Sequence, residues 1–375
     1  MGSSRSSKPV ENKIADGNGA AVSSLPEPVF NDSKHHIRIY QGDCLDILAA
    51  MPADCVDLIF ADPPYFLSNN GITCHAGRMV SVNKGEWDRS RGADANHEFN
   101  RAWLAACQRV LKPNGTIWVS GTSHVIHSVG FAMQQLEFKL LNDISWVKPN
   151  PPPNLSCRYF THATETIIWA AKNKKSRHKF NYALMKQTNG GKQMKSVWQI
   201  PPPEPWEKRF GKHPTQKPVA LLERIILAAS EAGDLVVDPF LGSGTTAVLA
   251  LRTSRRVLGV DSTEEWAMLA VKRVCADLVQ AILRVTIVQI TLDLWSRSVD
   301  RSDRANGATM SGTVTGKLVS RECNFYFVGA IRRDVVFAVA AEDMTEAWQK
   351  FRASSATSTE ILFVVKTQTE IYLAQ

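Results

Sequence analysis

The chain has 375 residues, 44% of them hydrophobic, which allows one large domain with an addition, or two domains. Its formal net charge is +8, which favours an anionic partner. The seven cysteines (Cys44, Cys55, Cys74, Cys107, Cys157, Cys275 and Cys323) contain no CxxC pair, which argues against a disulfide framework or a zinc site and fits a reducing compartment.

Residues 1–35 are rich in Ser, Gly, Asn and Pro without periodicity and predict a disordered leader with no signal peptide. Ordered sequence begins at HIRIYQGDCLDIL, a strand, a Gly-Asp turn and a helix. VDLIFADPPY follows as a strand with the continuous apolar character of one covered on both faces. The helix FNRAWLAACQRVL is stopped by KPNG, and TIWVSG, LLNDISWVK and ETIIWAAK predict three more strands. From Pro218 the theme repeats: helix VALLERIILAAS, strand LVVDPF, loop LGSGTT, helix AVLALRTS, strand RVLGVD and helix EEWAMLAVKRV. Alternation of this kind predicts an α/β fold with a mostly parallel sheet.

Two segments break the alternation. Residues 173–212 predict a loop-rich insert, and residues 277–375 a small α+β appendage. The appendage should hold β-rich runs at 323–339 and 361–373, a helix at Thr345–Phe351 and a polar connection at Ser296–Gly312. The main domain is therefore expected over residues 36–276. The most apolar segment, Leu278 to Trp295, contains Arg284, Gln289 and Asp293 and reads as core, not as a membrane span. The expectation is a cytoplasmic protein with no membrane contact.

Chemistry concentrates at two strand ends. In DPFLGSGTT (Asp238 to Thr246), Gly242 and Gly244 let the backbone turn tightly before a helix N-terminus. The spacing is neither GxGxxG nor a phosphate loop, so a pyrophosphate is disfavoured. Asp261 ends the next strand, where an acid can accept both hydroxyls of a ribose. This describes a nucleoside pocket. In ADPPY, Asp62 stands at a strand end, Pro63 and Pro64 leave local carbonyls free as acceptors, and Tyr65 offers a ring for stacking. A carboxylate and a carbonyl together can hold the two N–H bonds of an exocyclic amine and aim its lone pair.

These blocks resemble the β-class amino-methyltransferases of DNA, which use S-adenosylmethionine. The resemblance covers about Ile37 to Val274 and rests on ADPPY, HPTQKP (His213 to Pro218), DPFLGSGTT and GVD in the permuted β-class order. The stretches DPPYFLSNNGI, MVSVNKGEWD, NLSCRYFTHATETIIWA and GKHPTQKP are similar to Dpn- and Mbo-type adenine methyltransferases of restriction–modification systems. The resemblance implies a Rossmann-like class I methyltransferase with an inserted target-recognition segment. Asp62, Pro63, Pro64 and Tyr65 would be catalytic. Asp43, Thr215, Lys217, Asp238, Pro239, Phe240, Gly242, Ser243, Gly244, Thr245 and Asp261 would line the cofactor site. The base must leave its stack to be reached. Asp as first residue of the block favours adenine N6, with cytosine N4 the alternative. No Pro-Cys occurs, which disfavours cytosine C5.

From Lys172 to Lys217 there are twelve Lys and Arg against two acids, Glu204 and Glu207, a local charge of +10. The charge thus concentrates in the insert, as phosphate binding requires. Lys174, Lys175, Arg177, Lys179, Lys192 and Lys195 are the expected DNA contacts. Lys84, Trp87 and Asp88 join them from a mobile loop between Phe66 and His97. His124, His127, His162 and His178 are not spaced as a metal site, and no metal is expected. The implied partner is double-stranded DNA. Single-stranded DNA, a second copy of the chain and a restriction endonuclease acting on the same site remain open. The rival readings are a silent DNA-binding relative and a methyltransferase of protein glutamine or RNA.

Overall fold

The computed structural model describes residues 24–68, 71–75, 78–82, 85–280, 318–329, 336–340 and 363–374. The chain divides into two units, Met1–Val271 and Lys272–Gln375. The division falls five residues before the expected boundary at 276.

The first unit is built on a nine-stranded sheet. In chain order its strands are β1 (Phe30–Asp32), β2 (Ile37–Gln41), β3 (Val56–Ala61), β6 (Leu111–Gly121), β7 (Lys139–Val147), β8 (Thr164–Ala171), β9 (Val197–Gln199), β10 (Leu235–Asp238) and β11 (Arg256–Asp261). Across the sheet the order is β1-β2-β11-β10-β3-β6-β8-β7-β9. The five central strands β2, β11, β10, β3 and β6 are parallel, and β8 runs antiparallel to both its neighbours. The other two strands of the unit, β4 (Gly71–His75) and β5 (Arg78–Val82), form an antiparallel hairpin.

Both faces of the sheet are covered, which is why its strands read as unbroken apolar runs. Along β3, Ile59 and Ala61 point to one core and Leu58 and Phe60 to the other, the alternation of a strand. The first core packs α1 (Cys44–Ala50), α2 (Ala93–Val110) and α3 (Ile126–Gln135) through Leu48, Trp103, Leu104, Val129 and Met133. The second packs α5 (Val219–Ala229) and α6 (Thr245–Arg252) through Leu221, Leu222, Ile225 and Leu249. A short helix α4 (Tyr182–Thr188) precedes β9, and α7 spans residues 264–280.

Three expectations change. The leader is shorter than 35 residues: β1 pairs antiparallel with β2, through a turn in which Asp32 Oδ1 accepts from Lys34 N and His35 N. Three residues are too few to show a period, so the sequence hides this strand. Residues 1–23 lie outside the described residues. The insert is not a separate module, because β9 joins the sheet edge parallel to β7 and Trp198 is buried in the second core. The stretch from Phe66 to His97 contains the hairpin, a 3-10 helix (Glu86–Asp88) and the start of α2.

In the second unit, β12 (Leu318–Gly329) lies between β13 (Val336–Ala340) and β14 (Phe363–Ala374), antiparallel to both. The expected helix Thr345–Phe351, the connection Ser296–Gly312 and most of Leu278–Trp295 lie outside the described residues.

Trp118 of β6 sits opposite Trp169 of β8, with ring centroids 4.5 Å apart, and both indole N–H groups are buried without a partner. Truncating Trp118 to Ala should cost about 3 to 5 kcal/mol. Trp118→Phe should cost under about 1.5 kcal/mol, since it keeps most of the contact and removes an unpaired donor. Urea denaturation of the two variants checks the ordering.

Candidate active site

The parallel strands β3, β10 and β11 end at one rim, the edge where open α/β sheets bind ligands. A cavity of about 270 Å³ opens there. It is walled by the turns after β2, β3, β10 and β11 and by the segment before α5. Ten of the eleven residues assigned to the cofactor from sequence line it, and Gly244 lies just behind, capping α6.

The cofactor loop is fixed by backbone geometry. Gly242 and Gly244 have φ of +52° and +78°. A Cβ on Gly244 would come within 2.5 Å of the Ala270 Cβ, so only glycine admits the close approach of α7. Gly242 N donates to Asp261 Oδ2 (2.8 Å) and Thr263 N to Oδ1 (2.9 Å), which fixes the plane of this carboxylate. Each oxygen keeps a second lone pair for a hydroxyl. Asp43 caps α1, accepting from Leu45 N at 2.7 Å. Asp238 accepts from Thr246 Oγ1 (2.5 Å) and Phe240 N (3.0 Å). Burial outweighs both bonds and raises its carboxyl to about 7.

The acceptor turn Asp62–Tyr65 is held from beneath. Asp88 is fully buried and accepts from Tyr65 N (2.8 Å), Phe66 N (2.8 Å), Leu67 N (3.2 Å) and Ser68 Oγ (2.9 Å). Phe66 has φ +57°, a conformation that a bulky residue adopts only when its surroundings impose it. The prolines end the strand, and Asp88 sets the turn.

Asp62 belongs to a buried ionic network. Lys217 Nζ donates to Asp62 Oδ2 at 2.5 Å and lies 3.7 Å from Glu165 Oε2. Glu165 is paired with Lys148. The Tyr65 hydroxyl donates to Asp62 Oδ1 (2.7 Å) and lies 3.2 Å from Glu165 Oε2. Two carboxylates thus meet two ammonium groups. Burial pushes the Asp62 carboxyl up, Lys217 opposes it and Glu165 adds to it. Burial would raise Glu165 as well, but Lys217 and Lys148 prevail and hold it at about 2. Lys217 is held protonated by both acids despite its burial.

Several expected roles move. Lys217 lines the cavity, but its ammonium is bound to the Asp62 carboxylate. Tyr65 is only 4% exposed, so its ring is not displayed for stacking in this arrangement. Of the residues expected at the DNA, Trp87 lines the cavity with its ring stacked on His213 at 6.3 Å, and Asp88 is buried beneath the turn. Lys84 lies outside the described residues. The basic run is at the end of the sheet opposite the rim. Strand β8 starts beside Glu165 and runs away from the rim, so Lys172–Lys179 follow its far end, about 20 Å along the strand. There Lys172 pairs with Asp54, and Lys179 with Glu231 and Asp234. Lys174, Lys175 and Arg177 belong to the same distant turn. Lys192 and Lys195 are exposed before the edge strand β9, below the rim. Glu165, Lys148, His213 and Trp266 were missed. His213 could have been found, as the first residue of the HPTQKP block. Glu165 has a weaker signal, an acid two residues before the buried run IIWAA.

Fold and site together define a Rossmann-like class I α/β fold with a nucleoside cavity beside a buried acceptor turn. The sequence profile of the DNA methylase family matches residues 56–272. The chain is 53% identical over 254 residues to the Type II methyltransferase M2.DpnII of Streptococcus pneumoniae, covering 68% of this chain and 94% of that protein. It is 49% identical over 247 residues to M2.MboI of Moraxella bovis, covering 66% of this chain and 90% of that protein. Among solved structures, the PvuII DNA methyltransferase (cytosine-N4-specific) is 21% identical with a TM-score of 0.53, over 67% of this chain and 90% of that one, a likeness of fold. The chain belongs to the DNA methylase family.

Replacing Lys217 with Met removes the charge that opposes the rise of the Asp62 carboxyl. The acid limb of the pH–rate profile should then move to higher pH, and stability should fall by about 3 to 5 kcal/mol. A limb that stays in place would separate Asp62 from the rate. Asp88→Ala removes the carboxylate that accepts from three main-chain N–H groups of the turn. It should lower kcat at least tenfold while cofactor affinity, measured by calorimetry, changes less than threefold.

Proposed function

We propose that the chain transfers a methyl group from S-adenosylmethionine to the exocyclic N6 of adenine in DNA, as the modification enzyme of a Type II restriction–modification system. The observation that carries the reading is the Asp62 carboxylate on the wall of the same cavity that Asp43, Gly242 and Asp261 line. The donor set fits the cofactor. Asp261 has lone pairs left for a ribose diol, Asp43 lines the same cavity at the position where the resemblance expects the adenine to be met, Gly242 lets the backbone approach, and the sequence has no phosphate-loop motif. When bound, S-adenosylmethionine supplies an electrophilic methyl group on a sulfonium.

The protein's own part is positioning. Asp62 accepts one N–H of the target amine and the Pro63 carbonyl accepts the other, which turns the lone pair toward the cofactor pocket. Lys217 opposes the rise of the Asp62 carboxyl and, with the Tyr65 hydroxyl, fixes its plane, so it is placed as charge develops on the amine. No nucleophile is needed. Adenine is favoured over cytosine by Asp at the head of the block and by the likeness to M2.DpnII and M2.MboI. The Type II relatives also support a partner endonuclease acting on the same site.

Methylation-sensitive sequencing of a methylation-free bacterial host expressing the chain tests this reading. One motif carrying modified adenine is expected, absent with Asp62→Ala. The purified variant should lose transfer by more than a thousandfold and bind cofactor within a few-fold of wild type. Modified cytosine would transfer the reading to N4, and no mark from the wild-type chain would end it.

A further inference from the structure

Sixteen residues, 148–163, leave the sheet between β7 and β8 at the catalytic rim. Their base is tied into the site. Lys148 N donates to Ala163 O (2.8 Å), and the Lys148 side chain pairs with Glu165, which also meets Lys217 and the Tyr65 hydroxyl. The outgoing arm contains Pro149, Pro151, Pro152 and Pro153, which restrict its backbone. Asn154 then closes a turn: its Oδ1 accepts from Ser156 N (3.1 Å) and Oγ (2.7 Å), and its Nδ2 donates to Tyr159 O (2.6 Å).

This stiffened turn holds aromatic rings out in water. Phe160 is 96% exposed and Tyr159 60%. An isolated exposed leucine is ordinary, but a bare phenylalanine on a braced turn is a surface that something covers. The loop carries Lys148, Arg158 and His162 and no carboxylate. Cations beside stacking rings are the chemistry of nucleic-acid binding. Position agrees: Phe160 is five residues from Glu165, so its backbone stays within about 17 Å of the network that holds Asp62.

We propose that Phe160 enters the duplex beside the target base and fills the gap in the stack when that base swings out. Tyr159 and Arg158 brace the flanking strand. Apolar wedges that unstack base steps act in this way. The inference rests on the reading of the chain as a DNA methyltransferase and adds how the base is brought to Asp62.

The test uses the full chain, wild type and Phe160→Ala, with oligonucleotide duplexes carrying the motif mapped in the host. In one the target adenine is fully paired, and in the other it faces an abasic position. A third duplex carries 2-aminopurine at the target. Phe160→Ala should lower kcat/KM at least tenfold on the paired duplex and less than twofold opposite the abasic position. The fluorescence rise of 2-aminopurine on binding should shrink, and Phe160→Trp should restore both. Equal losses on the two duplexes, or none on either, would overturn the wedge. Retained cofactor binding shows that the variant is folded. A wild-type chain that methylates no duplex overturns the functional reading itself, which separates the two failures.

Discussion

A carboxylate withdrawn from water costs several kcal/mol unless a partner meets it, and Asp62 is met by Lys217. The residues of this pair are 155 positions apart, and the architecture of the site follows from joining them. Lys217 is also bound through its main-chain carbonyl by Thr245 Oγ1, at the start of the helix that follows the glycine turn. One lysine therefore locks the turn Asp62–Tyr65 to the glycine loop. Glu165 and Lys148 complete the charge balance and extend the lock to β7 and β8.

A site of this kind works by geometry. Nothing in it is a strong nucleophile, and Tyr65, the most prominent ring of its block, uses its hydroxyl to orient Asp62. Asp88 acts one layer further down, collecting the N–H groups that the proline turn cannot place in a ladder. Its contribution is a backbone held in one conformation, including the left-handed Phe66. The acceptors at the rim are rigid because their supports are buried.

Charge and location separate in this molecule. The run Lys172–Lys179 is the most basic stretch of the chain, yet two of its lysines are neutralised by acids at the far end of the sheet. The rim that carries the cavity instead presents a loop with few charges, four prolines and exposed rings. Net charge counts the basic residues, and strand direction decides at which end of the sheet they lie.

The local chemistry of this protein was legible in its residues. Apolar runs marked the buried strands because both faces of the sheet are covered. The turns Asp62–Tyr65 and Asp238–Thr246 announced themselves because proline and glycine constrain the backbone at their own positions, whatever surrounds them. The second carboxylate of the site, the true partner of Lys217, the buried role of Asp88 and the place of Trp87 emerged only in the fold. Each depends on which strands are neighbours and which way they run, and β8 is decisive: antiparallel to β6, it brings Glu165 to the site and carries the basic run away from it. Sequence specifies what a residue can do within reach of its neighbours in the chain. Pairing across the sheet determines which partners it reaches, because hydrogen bonds and ion pairs act over a few ångströms of space regardless of distance along the chain.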